Sequence, residues 1–208
     1  ATAIAKLMER QSFREVLGRE VKRQMDGEFH VGFPALLGIR DPLRVKKDLE
    51  EIIGAEVFEI PILPPSIPGM RIFRRFKEWL IQRGVTFLLG HSVLKADLNG
   101  KRCRGIEVSH PPLFQSYSGN RFVLATGRFI GGGLRVDEEK IFEPLFNLPI
   151  LQPGSRDNWF ANSFFNGHPI HYAGIFTDSS FQPVDQRGEQ ALENVWIAGS
   201  ILAGHNCI

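Results

Sequence analysis

Two short apolar runs, each stopped by a glycine, constrain this chain more than any other feature: RFVLATG at residues 121–127 and NVWIAGS at residues 194–200. Each has the form of a buried strand that ends in a turn. Gly127 and Gly199 remove the side chain where each strand stops, so backbone groups can come close to a ligand there. One such strand standing alone is as readily a structural turn as a binding turn. Two of them within an ordered series of strands and helices point to a ligand at the strand ends.

The rest of the chain supplies that series. Residues 3–26 place Ile4, Leu7, Met8, Phe13, Val16, Leu17 and Val21 at helical spacing, which predicts two short amphipathic helices. FHVGFPALLGI, 29–39, reads as a strand and a tight loop. Asp41 is a candidate N-cap with Pro42 behind it, and Gly54 closes that helix. A strand is expected at 56–63, then a helix capped by Ser66 and closed by Gly84. Strands are expected at 85–90, 91–100, 102–110 and 121–127, with Asn99-Gly100 as a hairpin turn.

Residues 128–172 carry three glycines at 131–133 and are rich in proline and aromatics, which predicts an irregular excursion. The segment 174–183 returns to the sheet and 194–200 is its last strand. The predicted class is α/β: a partial Rossmann-like, dinucleotide-binding domain with an antiparallel hairpin insertion, plus an α+β capping lobe. The expected limits are 1–55 for a helical part of the capping or inserted lobe and 56–127 for the second half of the cofactor domain. Residues 128–173 are expected as the capping excursion and 174–208 as the return.

A net charge of +2 is too small to argue for nucleic acid. No run of about 18 apolar residues exists to span a membrane. Cys103 and Cys207 lack CxxC spacing and are expected as reduced thiols. They are too few for an iron–sulfur cluster, which takes about four. His168 and His171 have HxxH spacing without further ligands and are read as loop histidines, so no metal site is expected. Trp159, Phe160, Phe164, Phe165 and Tyr172 are read as the packing of the excursion. Arg71 and Arg128 each follow a glycine turn and are the best basic candidates for an anionic ligand.

IPILPPSIPGMRI (60–72), VLATGRFIGGGL (123–134) and FTDSSFQPVDQRGEQALENVWIAGSILAG (176–204) resemble the B subunits of anaerobic glycerol-3-phosphate dehydrogenases. These are flavoproteins related to the fumarate reductase and two-dinucleotide-fold group. The resemblance runs from about His30 to Gly204. It departs at Gln182, where the family often carries a basic residue. The N-terminal GxGxxG of such flavoproteins and a leading Met are absent, and the chain stops where a helix should follow. The sequence is therefore expected to be an internal piece of a flavoprotein, weak in flavin binding by itself.

The resemblance implies a subunit that carries FAD or FMN and relays electrons. In that family a catalytic A subunit oxidises glycerol 3-phosphate to dihydroxyacetone phosphate, and an iron–sulfur C subunit passes electrons to quinone. The implied location is cytoplasmic, peripheral to the inner face of the membrane through the C subunit. The implied cofactor contacts are Ala125, Thr126, Gly127, Gly199 and Ser200 at the strand ends, and Val93 through its backbone at the adenine. A helix starting near Leu202 would aim its dipole at the phosphates. No catalytic residue is assigned. The alternatives are a stand-alone flavin-dependent reductase of fumarate-reductase type, with Arg156, His168 and His171 near substrate, and a non-catalytic assembly domain.

Overall fold

The computed structural model describes residues 1–204. It divides into two compact units, Ala1–Phe87 and the chain from Leu88 onward.

The first unit opens with helices α1 (Thr2–Met8) and α2 (Gln11–Gln24), as the apolar spacing predicts. Strand β1 (His30–Pro34), helix α3 (Pro42–Ile53) and strand β2 (Glu56–Ile60) then form a βαβ unit. The two strands pair in parallel, His30 beside Glu56 through Pro34 beside Ile60. Local chemistry fixes α3. The Asp41 carboxylate accepts the Arg44 N–H at 3.2 Å, Pro42 fills the first turn, and Gly54 ends the helix at φ +83°. Met8, Phe33, Leu37, Val45, Leu49, Ile53 and Val57 pack one core between the strands and the helices. Gly18 lets α2 lie against α3, since a Cβ there would stand 2.7 Å from Ile52 Cγ2. The expected limit at residues 55 and 56 falls inside this βαβ unit.

Helix α4 (Ile67–Ile81) starts at Ser66, whose hydroxyl accepts the Gly69 N–H at 3.1 Å. It ends at Gln82 rather than Gly84, and Gly84 adopts φ +84° just beyond it. The strand expected at 85–90 does not form. Val85, Leu88 and Leu89 are exposed, and no strand among the described residues pairs with them. Apolar composition favours a strand only where a neighbouring ladder takes up its N–H and C=O groups.

The second unit begins with an antiparallel sheet of β3 (Val93–Asn99), β4 (Arg102–His110) and β5 (Leu113–Ser118). Asn99 and Arg102 are opposite each other across the predicted turn, with Gly100 at φ +59°. Strand β5 adds to the elements the sequence predicts. Strand β6 (Phe122–Leu124) follows, then short pieces β7 (Arg135–Val136), β8 (Ile141–Phe142), β9 (Ile150–Leu151) and β10 (Gly174–Ile175), and finally β11 (Val195–Ile197). β7 pairs with β8 and β9 with β10, both antiparallel.

The apolar residues of the excursion share a core with the strand pair. Leu134, Ile141, Phe146, Leu148, Trp159 and Ile170 pack with Leu124, Val195 and Ile197. Burial of those side chains offsets the ordering of a segment with little regular structure.

Candidate functional site

β6 and β11 pair in parallel, with Phe122, Val123 and Leu124 beside Val195, Trp196 and Ile197. Both strands therefore stop at the same level, and the turns that follow them lie next to each other. Ala125-Thr126-Gly127 ends β6, and Ala198-Gly199-Ser200 ends β11. The Ala198 N–H donates to the Leu124 carbonyl at 3.0 Å and closes the ladder there. Ligands of open α/β sheets bind at this carboxyl end.

Gly127 and Gly199 both hold positive φ, +71° and +80°, which L residues with side chains rarely adopt. A Cβ on Gly127 would lie 3.6 Å from Ser200 Oγ, and a Cβ on Gly199 would meet no described residue within 4 Å. Among the described residues the two turns thus border open space. Ala125, Thr126, Gly199 and Ser200 are all exposed. The N–H groups of Thr126 and Gly127 donate to no acceptor among the described residues. With the Thr126 and Ser200 hydroxyls they form a donor set suited to phosphate oxygens or the polar edge of a flavin ring.

The glycines at 131–133 complete this arrangement. A Cβ on Gly131 would collide with the Thr126 carbonyl. One on Gly133 would collide with the Gly127 carbonyl and stand 2.5 Å from Thr126 Oγ1. The triple glycine is therefore needed for the chain to fold back onto the Thr126-Gly127 turn. Its signal is plain in the sequence, but composition marks it only as the start of an excursion.

Arg128, a basic candidate for an anionic ligand, is engaged by carbonyls of the chain itself. Its guanidinium donates to the Ser200 carbonyl at 2.5 Å, to the Leu202 carbonyl at 3.1 Å and to the His171 carbonyl. It ties the first turn to the second and to the 169–172 turn. Arg71 is likewise committed, donating to both oxygens of Glu59 at 2.6 and 2.8 Å and to the Gly38 carbonyl. Leu202 is extended and bridges Ile175 in parallel, after a 3-10 turn at Gly199–Ile201, so no helix starts there. The helix expected beyond Gly204 and the Cys207 thiol lie outside the described residues.

Val93 sits at the start of β3, opposite Val108, and is 41% exposed. No ladder or hydrogen bond among the described residues joins it to the two turns. His168 accepts the Ala161 N–H on Nδ1 at 3.0 Å and has Nε2 3.2 Å from the Phe164 carbonyl, so it pins its own loop. The described residues contain no cluster of three or more His, Cys, Asp or Glu that could hold a metal. Of the aromatic group, Trp159 is buried and donates to the Pro153 carbonyl, as core packing requires. Phe160, Phe164, Phe165 and Tyr172 are exposed, contrary to that reading. Gln182, at the expected departure, donates to the Glu193 carbonyl at 2.7 Å.

The chain is similar to curated proteins named as B subunits of anaerobic glycerol-3-phosphate dehydrogenase. A probable B subunit of anaerobic glycerol-3-phosphate dehydrogenase from Halobacterium salinarum is 35% identical over 85% of this chain and 41% of its own length. The B subunit of the Aliivibrio fischeri anaerobic glycerol-3-phosphate dehydrogenase is 29% identical over 99% of this chain and 47% of its own. That of Vibrio cholerae is 29% identical over 98% and 46%. The chain spans about half the length of these relatives or less. No solved structure matches it. The model of one family, described as FAD binding domain, matches residues 2–207. With two glycine turns side by side at the carboxyl end of a parallel strand pair, and that match over nearly its whole length, this chain belongs to the FAD binding domain family.

Proposed function

We propose that the chain is part of the flavin-bearing B subunit of an anaerobic glycerol-3-phosphate dehydrogenase and serves as an electron relay to quinone. The observation that carries the reading is the pairing of β6 with β11, which sets the Thr126-Gly127 and Gly199-Ser200 turns side by side with free donors. The relatives' names support the enzyme class. The bound flavin would supply the redox chemistry, taking up and passing on electrons.

The chain's own residues hold and orient it. The N–H groups of Thr126 and Gly127 and the hydroxyls of Thr126 and Ser200 would donate to its phosphates, with Ala125 and Gly199 shaping the approach. Arg128 fixes the spacing of the two turns and adds a positive charge close to them. Val93 is kept as the backbone contact to adenine. Residues 128–173 form the cap over the site, and their exposed Phe160, Phe164 and Phe165 are the surface offered to the A subunit. No helix among the described residues is long and apolar enough to cross a membrane, in keeping with attachment through an iron–sulfur C subunit.

The test is a visible absorption spectrum of the purified native protein, followed by assay with glycerol 3-phosphate. Flavin bands, and turnover only with the A subunit added, are expected. A colourless protein would point to an assembly domain, and turnover without the A subunit to a stand-alone enzyme.

A further inference from the structure

The first unit holds an open cleft of about 1240 Å³, walled by α1 and the residues just after it, the loop after β1 and the first turns of α4. Its lining is unevenly charged. Lys6, Arg10, Arg40 and Arg74 face it, against the single carboxylate of Glu9. That carboxylate is already engaged: Oε1 accepts the N–H groups of Ile39 and Arg40, both at 2.6 Å. Arg74 is paired with Glu78 at 2.8 Å. Lys6, Arg10 and Arg40 are exposed, and their side chains pair with no carboxylate among the described residues.

The frame that carries these cations is fixed from both sides. Glu9 ties α1 to the loop. Arg71 Nε donates to the Gly38 carbonyl at 2.7 Å, and Arg75 to the Arg40 carbonyl at 3.3 Å, tying α4 to the same loop. Gly38 takes φ +83°, and a Cβ on it would stand 2.8 Å from Glu9 Oε1, so the loop has one way to sit. Three like charges held around a concave surface concentrate a positive potential that an anion relieves. Ile39, Met70 and Phe73 give the same cleft an apolar side.

We propose that this cleft binds a small organic anion, its phosphate or carboxylate held by Lys6, Arg10 and Arg40 and its carbon skeleton against Ile39, Met70 and Phe73. Guanidinium groups suit either oxyanion through paired hydrogen bonds. The cleft is formed by first-unit residues and does not rest on the flavin reading.

The test is calorimetric titration of the protein with inorganic phosphate, glycerol 3-phosphate and succinate, with glycerol as the neutral control. The anions should bind and glycerol should not, and added salt should weaken binding. The tighter of glycerol 3-phosphate and succinate identifies phosphate or carboxylate as the preferred group. Arg10→Gln and Arg40→Gln should each weaken binding about tenfold at an unchanged thermal midpoint. Arg23→Gln, which removes an exposed cation paired with Glu20 on α2, should leave binding intact. The proposal is overturned if no anion binds at millimolar concentration, if salt has no effect on the unaltered protein, or if Arg23→Gln weakens binding as much as Arg40→Gln.

Discussion

The side-chain amide of Asn194 bonds both main-chain groups of Cys103. Asn194 Oδ1 accepts the Cys103 N–H at 2.9 Å, and Nδ2 donates to the Cys103 carbonyl at 2.7 Å and to the Asn120 carbonyl at 3.1 Å. Asn194 is 3% exposed and directly precedes β11, so it joins the antiparallel sheet to the strand pair that carries the candidate site. Replacement by Ala leaves a buried N–H and carbonyls unpaired, each costing about 1–3 kcal/mol. Asn194→Ala is expected to lower stability by about 2–4 kcal/mol, read as a fall in the urea midpoint. Asn194→Asp should fare no better, since a carboxylate cannot donate to either carbonyl. A midpoint unchanged in Asn194→Ala would show that the amide does not hold the sheets together.

Cys103 itself is expected to be chemically silent. It is 1% exposed, and burial pushes its thiol above the usual range, with the Asp97 carboxylate adding to the effect. The thiolate is the reactive form. In a Cys207→Ser variant, which leaves a single thiol, a disulfide reagent should label the folded protein at least about a hundredfold more slowly than the urea-unfolded protein. Equal rates would contradict the burial of Cys103.

Short-range chemistry is legible in the sequence. Asp41, Pro42 and Gly54 bound α3, Ser66 starts α4, and Asn99-Gly100 turns the hairpin, because each acts on groups within a few residues. The strand-end glycines are legible for the same reason. What depends on distant partners is not. The run at 85–90 has strand composition but no ladder to join among the described residues. β5 is hidden behind Pro111-Pro112 and its own polar Gln115, Ser116 and Ser118, yet it pairs with β4 along its whole length. Arg128 looks like an anion ligand because it follows a glycine. Only the folded chain brings the carbonyls of His171, Ser200 and Leu202 to its guanidinium.

The pair Glu59–Arg71 predicts a specific pH dependence. Burial raises the Glu59 pKa, but the Arg71 hydrogen bonds, the Leu37 N–H and the Arg71 charge outweigh it, so the carboxyl lies below its ordinary value. A depressed folded pKa contributes stability above the unfolded value, about 4.3, and that stability is lost as pH falls through the folded pKa. Glu59→Gln should therefore be less stable than the unaltered protein at about pH 7. The difference should shrink below about pH 4.5. Urea midpoints measured across that range check it, and a difference independent of pH would remove the ion pair as its cause.

The glycine turns separate a cofactor role from a structural one. Gly127 and Gly133 both border the strand ends, but a side chain has different consequences at each. At Gly127 a Cβ would point toward the open side, 3.6 Å from Ser200 Oγ, and the cost to the fold is the strain of φ +71°, about 1–2 kcal/mol. At Gly133 a Cβ would run into the Gly127 carbonyl and Thr126, so the backbone of the turn itself must move. In the native holoprotein, Gly127→Val should keep its far-UV spectrum while the flavin-to-protein ratio after gel filtration falls about tenfold or more, because a side chain occupies the approach to the Thr126 and Gly127 N–H groups. Gly133→Ala should lower both the thermal midpoint and the flavin content. Stoichiometric flavin in Gly127→Val would remove the Ala125-Thr126-Gly127 turn from the cofactor site, because no flavin phosphate could then lie against a backbone that a valine has covered.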